Sequence, residues 1–345
     1  MKVAIIGLGA AAQQIHLPAL KKDSTLEIVA GVDVRSNLPS FDFPVFESQT
    51  QLYERTTPNL VIVATPTQWH YESTKLALEN GCHVLVEKPF MSDLEEADKI
   101  IELSNKVGRW VIVNNQYRFM NIHEAAYNQI DSADFGELLF ISANQTFFVS
   151  DDTESGWRGN DPQRTCKEFG IHVLDLCRYY FKEEPLSITA RMPKGKNPQG
   201  PDYLNLLQLE FSEDRVAHIT LDRLSRGPHR YLDMRLDGSK SVVETSVGGK
   251  LNLNLGIRGG TREPYFDLDI AMGGTARLYK KEKYKKLATD PIDLFANATY
   301  KLLLAFQQSL KDGTPPPCDA ESNRKTLALM LAAYESASTG KTIYL

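Results

Sequence analysis

The feature that most constrains the fold of this chain is the order of signals in its first ~115 residues, where strand and helix patterns alternate. Short apolar runs at Val3–Ile6, Glu27–Val32, Leu60–Ala64, His83–Val86 and Trp110–Val113 fit strands. Helical stretches lie between them. One spans His70–Asn80 and closes at Gly81; another opens at Ser92-Asp93-Leu94-Glu95, with the spacing of a capping box, and stops near Gly108. Strands joined through helices pair in parallel, with helices covering both faces of the sheet. Residues 1–119 therefore read as an α/β domain with a doubly wound parallel sheet.

Directly after the first strand comes Gly7-Leu8-Gly9-Ala10-Ala11-Ala12, of the form G-x-G-x-x-A, and the second strand ends at Asp33. Strand, glycine turn, helix and acid in that order form the dinucleotide-binding fingerprint of a Rossmann domain. Gly7 permits the tight turn, Gly9 lets a pyrophosphate approach the backbone, and Ala12 lets helix and sheet pack closely. The amides of Ala10 and Ala11 open the helix and face the phosphates. Asp33 would accept hydrogen bonds from the adenosine ribose, which favours NAD; Arg35 would instead meet the 2′-phosphate of NADP or stand in solvent. The cofactor expected is NAD or NADP, with NAD preferred.

After Phe119 the pattern changes. Leu138–Phe148 reads as a strand, and strand signals then follow one another except for an amphipathic stretch at Lys167–Phe181. Tyr203–Phe211 and Arg215–Arg223 are joined by Ser212-Glu213-Asp214, and Tyr231–Leu236 meets Ser241–Val247 across Asp237-Gly238. Leu232, Met234 and Leu236 alternate with Tyr231, Asp233 and Arg235, which predicts one buried and one wetter face. Gly256–Thr289 is poorly periodic, and two helices, Leu294–Lys311 and Ala320–Ser338, end the chain. Residues 120–345 are thus expected to form an α+β domain with a mostly antiparallel sheet, whose wetter face would suit a homo-oligomer.

A net charge of −5 argues against sequence-blind nucleic-acid binding. No run approaches the ~18 apolar residues of a membrane span, and the chain opens with a strand pattern in place of a signal peptide. Four cysteines, Cys82, Cys166, Cys177 and Cys318, without a C-x-x-C pair, suit a reducing cytoplasm and read as buried small hydrophobes. Cys166 could alternatively be reactive. No metal site is expected.

Three further segments fall where parallel strands end, the edge at which open α/β sheets bind ligands. They are Ala64-Thr65-Pro66-Thr67-Gln68-Trp69-His70, Val86-Glu87-Lys88-Pro89 and Asn114-Asn115-Gln116-Tyr117-Arg118-Phe119. With them the chain resembles the Gfo/Idh/MocA family, the glucose–fructose oxidoreductase and inositol dehydrogenase group, over nearly its whole length. The family's Asp-x-Gly-x-His-x-x-Asp motif matches Glu168-Phe169-Gly170-Ile171-His172-Val173-Leu174-Asp175. On a regular helix Glu168, His172, Asp175 and Tyr179 would share a polar face, opposite Phe169, Val173, Leu176 and Tyr180.

The resemblance implies an NAD(P)-dependent dehydrogenase acting on a secondary alcohol of a sugar, sugar acid or cyclitol. It implies that His172 takes the hydroxyl proton while Lys88 stabilises the developing alkoxide, with Glu168 tuning the pair. Thr65, Pro66, His70 and Glu87 would border the cofactor, and Arg118, Trp157 and Arg158 the substrate. His70 could equally pack, Asp175 reads first as structural, and His16 as packing at the end of the first helix. The chain departs from the pattern at Gln163-Arg164-Thr165-Cys166-Lys167, where many relatives are glycine-rich, and at Glu168, where the usual residue is aspartate. Two other readings stay open: glycoside cleavage by transient oxidation and elimination, and a non-catalytic cofactor-binding regulator.

Overall fold

In a computed structural model, residues 1–149, 161–194, 200–227, 229–257, 264–281 and 283–345 are described. The chain divides into two compact units. The first comprises Met1–Phe119, Lys167–Asp175 and Phe295–Ala332, the second Met120–Cys166, Leu176–Leu294 and Ala333–Leu345. The sequence sets residues 1–119 apart from 120–345; by contacts the leading segment groups with two later ones.

The first unit begins with β1 (Lys2–Ile6), followed by a π-helical turn, Ala12–His16, that runs into α1 (Leu17–Leu20). Then come β2 (Glu27–Val32), β3 (Val45–Phe46), α2 (Gln49–Arg55), β4 (Leu60–Val63), α3 (His70–Glu79), β5 (His83–Val86), α4 (Leu94–Val107) and β6 (Val111–Val113). Six strands pair in parallel in the order β3-β2-β1-β4-β5-β6. All four residues of β4 are buried, as expected of a strand covered on both faces. α4 ends at Gly108 in the left-handed conformation (φ 64°). Its start differs from the expected capping box. Asp93, not Ser92, is the N-cap and accepts the Glu96 amide at 2.8 Å, while the Glu96 carboxylate takes the Ser92 amide at 3.1 Å. Asp93 holds the extended backbone an N-cap needs (φ −148°, ψ 179°), which moves the box by one residue.

The second unit carries α5 (Asn121–Tyr127) and β7 (Leu138–Thr146). The stretch expected as one helix is a π-helical turn, Cys166–Gly170, followed by α6 (Ile171–Phe181). Strands β8 (Ser187–Arg191), β9 (Leu204–Glu210), β10 (Val216–Asp222), β11 (Arg230–Gly238) and β12 (Val242–Val247) follow. Four more follow, β13 (Lys250–Ile257), β14 (Pro264–Ala271), β15 (Gly274–Lys280) and β16 (Lys283–Asp290), the last three in the stretch from Gly256 that had shown little periodicity. The helices α7 (Leu294–Asp312) and α8 (Ala320–Thr339) and the short β17 (Ile343–Tyr344) complete the chain.

The main sheet of this unit has nine strands in the order β16-β15-β12-β11-β7-β10-β9-β8-β17, antiparallel but for the β10–β7 pair. Leu232, Met234 and Leu236 are buried while Arg235 between them is exposed, the expected alternation. The β11–β12 turn is Ser239-Lys240, not Asp237-Gly238. Gly238 stays in the strand, where a Cβ would lie 2.5 Å from the Phe135 carbonyl oxygen.

The late segments join the first unit for a packing reason. Leu302, Leu303 and Phe306 of α7 share one core with Val3, Ile5, Leu60, Ile62, Leu85 and Ile112 of the parallel sheet. Burying that apolar stripe is what fixes where the helix lies. Among the described residues no helix is long and apolar enough to cross a membrane.

Candidate active site

The parallel sheet aligns the ends of its strands. In register, Ile6 pairs with Val32 and with Val63, Val63 with Val86, and Val86 with Val113. The residues that follow, Gly7, Asp33, Ala64, Glu87 and Asn114, therefore form a row along one sheet edge. Main-chain bonds hold the row: Gly7 N–H to Val32 O, Ala64 N–H to Ile6 O, Glu87 N–H to Val63 O and Asn114 N–H to Val86 O, at 2.8 to 2.9 Å. The strand order reverses between β1 and β4, the place where such sheets open a ligand crevice. Four separate sequence motifs meet here because parallel pairing brings every carboxyl end to the same side.

The glycine turn fits a dinucleotide. Gly7 has φ +90°, and a Cβ there would lie 2.7 Å from the Ala64 carbonyl oxygen, so only glycine is accommodated. A Cβ on Gly9 would meet nothing nearer than Arg35 Nη2 at 3.9 Å, so the backbone at Gly9 is open to a close ligand. The Gly9 carbonyl takes the Gln13 amide at 3.0 Å and begins the helix, whose first amides, including those of Ala10 and Ala11, have no partners within it. The Asp33 carboxylate accepts the Leu8 amide at 2.8 Å and is clasped by Arg35 through Nε at 2.9 Å and Nη2 at 2.7 Å. Burial pushes the Asp33 carboxyl up, but its bonds to Arg35 and Leu8 outweigh burial and hold it below the usual range. Thr65 keeps its hydroxyl oxygen buried without a hydrogen-bond partner, a further polar atom for a ligand at this edge. Pro66 beside it is exposed.

His70 is buried, and its ring nitrogens lie 2.9 Å from the Thr65 carbonyl and 3.0 Å from the Pro89 carbonyl. It ties two edge loops together, the packing alternative raised by the sequence. Burial, opposed by those carbonyls, lowers its pKa.

Glu87 is also buried. Its Oε1 accepts His16 Nε2 at 2.8 Å and Asn114 Nδ2 at 2.8 Å, and its Oε2 lies 3.2 Å from the Lys88 amide. Burial raises the carboxyl, but His16, Lys88 and Asn114 together bring it down to about 2. Glu87 is thus a fixed carboxylate that sets the loop bearing Lys88. His16 as its partner was not legible in the sequence, since the two residues are 71 apart.

The Lys88 ammonium donates to the Glu168 main-chain carbonyl at 3.0 Å. Four residues on, His172 is buried, and among the described residues its Nδ1 has no hydrogen-bond partner. Its ring lies flat on Tyr117, with centroids 4.0 Å apart and planes 4° apart. Burial first, and then the Lys88 charge, hold the imidazole well below its ordinary pKa of 6.5, with Glu87 opposing. His172 is neutral at neutral pH.

On the polar face of the helix His172 and Asp175 are as buried as Val173, Leu176 and Tyr180, while Glu168 and Tyr179 are half-buried. One expectation changes here: a π-helical turn at Cys166–Gly170 breaks the regular spacing from Glu168 to His172. Arg118 is committed within the unit to Asp175, with Nε and Nη2 at 2.7 and 2.6 Å, and Asp175 also accepts the Thr326 hydroxyl. Trp157 and Arg158 lie outside the described residues. Cys166 is fully buried, and burial pushes its thiol well above the ordinary value, away from the reactive thiolate form. All four cysteines are buried thiols. In the second unit, the segment that replaces the glycine-rich run is fastened by buried Asp202, which accepts the Arg164, Thr165 and Cys166 amides.

A parallel sheet with an open glycine turn and an acid on the neighbouring strand defines a dinucleotide-binding class of fold. Residues 1–115 match the model of the oxidoreductase family with an NAD-binding Rossmann fold, and residues 123–244 that of the Gfo/Idh/MocA C-terminal domain. The chain belongs to the Gfo/Idh/MocA oxidoreductase family.

It is 25% identical to the scyllo-inositol 2-dehydrogenase (NADP(+)) of Bacillus subtilis (strain 168) over 356 residues, spanning 100% of this chain and 96% of that one. It is 28% identical to the D-glucoside 3-dehydrogenase of Escherichia coli (strain K12) over 193 residues, about half of either chain (52% and 53%). In fold it matches an oxidoreductase from Agrobacterium radiobacter solved with NAD+, L-tartaric acid and magnesium. The TM-score is 0.81 at 17% identity, covering 100% of this chain and 98% of that one.

Proposed function

We propose that this chain is an NAD(P)-dependent dehydrogenase that interconverts a secondary alcohol and a ketone on a sugar, sugar acid or cyclitol. The observation that carries the reading is the pair at the sheet edge. The Lys88 ammonium is held on the Glu168 carbonyl, four residues before a buried, neutral His172 whose Nδ1 has no hydrogen-bond partner among the described residues. A neutral imidazole can take a hydroxyl proton. One of the three Lys88 donors is spent on Glu168, leaving two to stabilise negative charge on the substrate oxygen. Glu168 anchors Lys88 through its main chain. Glu87 fixes the Lys88 loop through its bonds to His16, Asn114 and the Lys88 amide and is not itself a proton carrier. The bound nicotinamide cofactor would supply the hydride acceptor.

The named relatives, acting on a cyclitol and a glucoside, support the substrate class. For the cofactor, Asp33 at the end of β2 favours NAD through the ribose, while Arg35 offers a cation to a 2′-phosphate. The wetter face of the nine-stranded sheet, with Asp233, Arg235, Glu244 and Arg277, is where we expect two copies to meet.

A screen of sugars, sugar acids and cyclitols with both cofactors, following reduced nicotinamide, tests the reading. Turnover that disappears in His172→Gln supports it. Cofactor binding without turnover of any of these alcohols would sink it. Titration of each cofactor against Arg35→Ala decides the cofactor, since only NADP affinity should fall, by about tenfold or more.

A further inference from the structure

We propose that Tyr117 is a positioning residue for His172: its ring lies flat against the imidazole and sets the plane in which that ring meets a proton. The inference rests on the reading of His172 as proton acceptor and adds a residue to it.

A histidine that handles protons is ordinarily oriented by a hydrogen bond on its second ring nitrogen. Among the described residues His172 lacks that device, because Nδ1 is buried without a partner there. Rotation of an imidazole about its last side-chain bond is loosely restrained on its own. What restrains it here is a flat contact with Tyr117, at 4.0 Å and 4°. Tyr117 is in turn only 3% exposed and backed by the Phe295 ring at 5.8 Å.

The next residue reinforces the contact. Arg118 forms a two-pronged ion pair with Asp175, three residues beyond His172 on the same helix face. The short turn Gln116–Phe119 thus grips α6 at two points, one through a ring and one through a charge pair. The π-face of Tyr117 also faces the ring that becomes cationic when His172 takes a proton, and an aromatic face favours a cation. The other charged groups acting on His172 are Lys88 and Glu87.

The test compares Tyr117→Phe, which keeps the ring, with Tyr117→Leu, which removes it, in the full chain. The first readout is the imidazole proton resonance of His172, assigned through His172→Gln. It should be shifted upfield by the ring current in wild type and Tyr117→Phe, and lose that shift in Tyr117→Leu. The second readout is kinetic. Tyr117→Phe should keep kcat within about threefold, while Tyr117→Leu should lose about tenfold to a hundredfold in kcat with KM little changed. The acid limb of its pH profile should move to lower pH, because the protonated ring has lost its aromatic neighbour. If Tyr117→Leu does not fold, Tyr117→Met, which fills the space without a ring, carries the same expectation.

The proposal is overturned if the folded ring-less variant keeps the wild-type kcat and acid limb, or if Tyr117→Phe loses as much as Tyr117→Leu. A His172→Gln protein that retains kcat overturns the proton-acceptor reading instead, and leaves the resonance comparison to report on the stack alone.

Discussion

The Lys88 ammonium is bonded to the main-chain carbonyl of Glu168 at 3.0 Å, which links the strand-end loop after β5 to the turn that precedes His172. The link uses the backbone of Glu168, which any residue at that position would supply. Replacement of the family's usual aspartate by glutamate therefore leaves this part of the site intact.

Lys88→Ala should lower kcat by about a hundredfold to ten-thousandfold, the range for losing a group that stabilises charge at the reacting oxygen. Cofactor affinity, measured by fluorescence titration, should change by less than about threefold, since the glycine turn and Asp33 are untouched. A large loss of cofactor binding with normal kcat at saturation would place Lys88 in the cofactor site instead.

The two glycines of the turn should behave differently. Gly7→Ala forces a Cβ within 2.7 Å of the Ala64 carbonyl oxygen at a φ of +90°, and should destabilise the fold by about 2 kcal/mol or more in urea unfolding. Gly9→Ala has room, so its stability should stay within about 0.5 kcal/mol of wild type, while cofactor affinity falls by about tenfold or more. Equal loss of stability in both would contradict the assignment of Gly9 to the ligand.

Removing His16 strands a buried carboxylate. His16→Leu takes away a partner 2.8 Å from Glu87 Oε1 and leaves Asn114 and the Lys88 amide. Leaving a buried carboxylate short of a hydrogen-bond donor costs about 1–3 kcal/mol or more. The double variant His16→Leu, Glu87→Gln should recover part of that stability, because the unpaired charge is gone. A His16→Leu protein as stable as wild type would show that the pair contributes nothing.

Acid should destabilise the protein from just below pH 6.5. Burial lowers the pKa of His70, of His172 and of His123, the last to about 3, all from an ordinary value of 6.5. Below pH 6.5 the unfolded chain protonates these rings while the native protein does not, so the unfolded state binds more protons and gains ground as pH falls. Each such ring contributes a slope of about 1.4 kcal/mol per pH unit once its unfolded form is fully protonated. Glu87, held at about 2, adds a loss of the same sign below its ordinary value of 4.5. Urea midpoints measured from about pH 7.5 to about pH 5 should fall steadily, and a flat profile would contradict the burial of these rings.

The parallel sheet, the glycine turn with its Asp33 partner, the Lys88 loop and the His172 helix were all legible in the amino-acid order. Each rests on a local pattern: an apolar run, a helix stop at Gly108, a glycine where only glycine fits. The π-turn before α6 and the shifted cap at Asp93 were not, since both depend on a one-residue choice among near-equal backbone paths. Strands β13 and β14 were not read, although Leu251, Leu253 and Leu255 alternate with Asn252 and Asn254, and Phe266, Leu268 and Ile270 with Asp267 and Asp269.

Chain order by itself therefore determined the class of fold, and the family resemblance it carries named the candidate catalytic groups. Tertiary structure alone decided what each group is bonded to. Glu87 with His16, His172 with Tyr117, and Arg118 with Asp175 are pairs 71, 55 and 57 positions apart. The addition of Leu302 and Phe306 to the core of the parallel sheet belongs with them. The physical reason is that local periodicity reports which face of an element is apolar. The partner that buries that face, or neutralises its charge, is chosen only when distant segments close into one core.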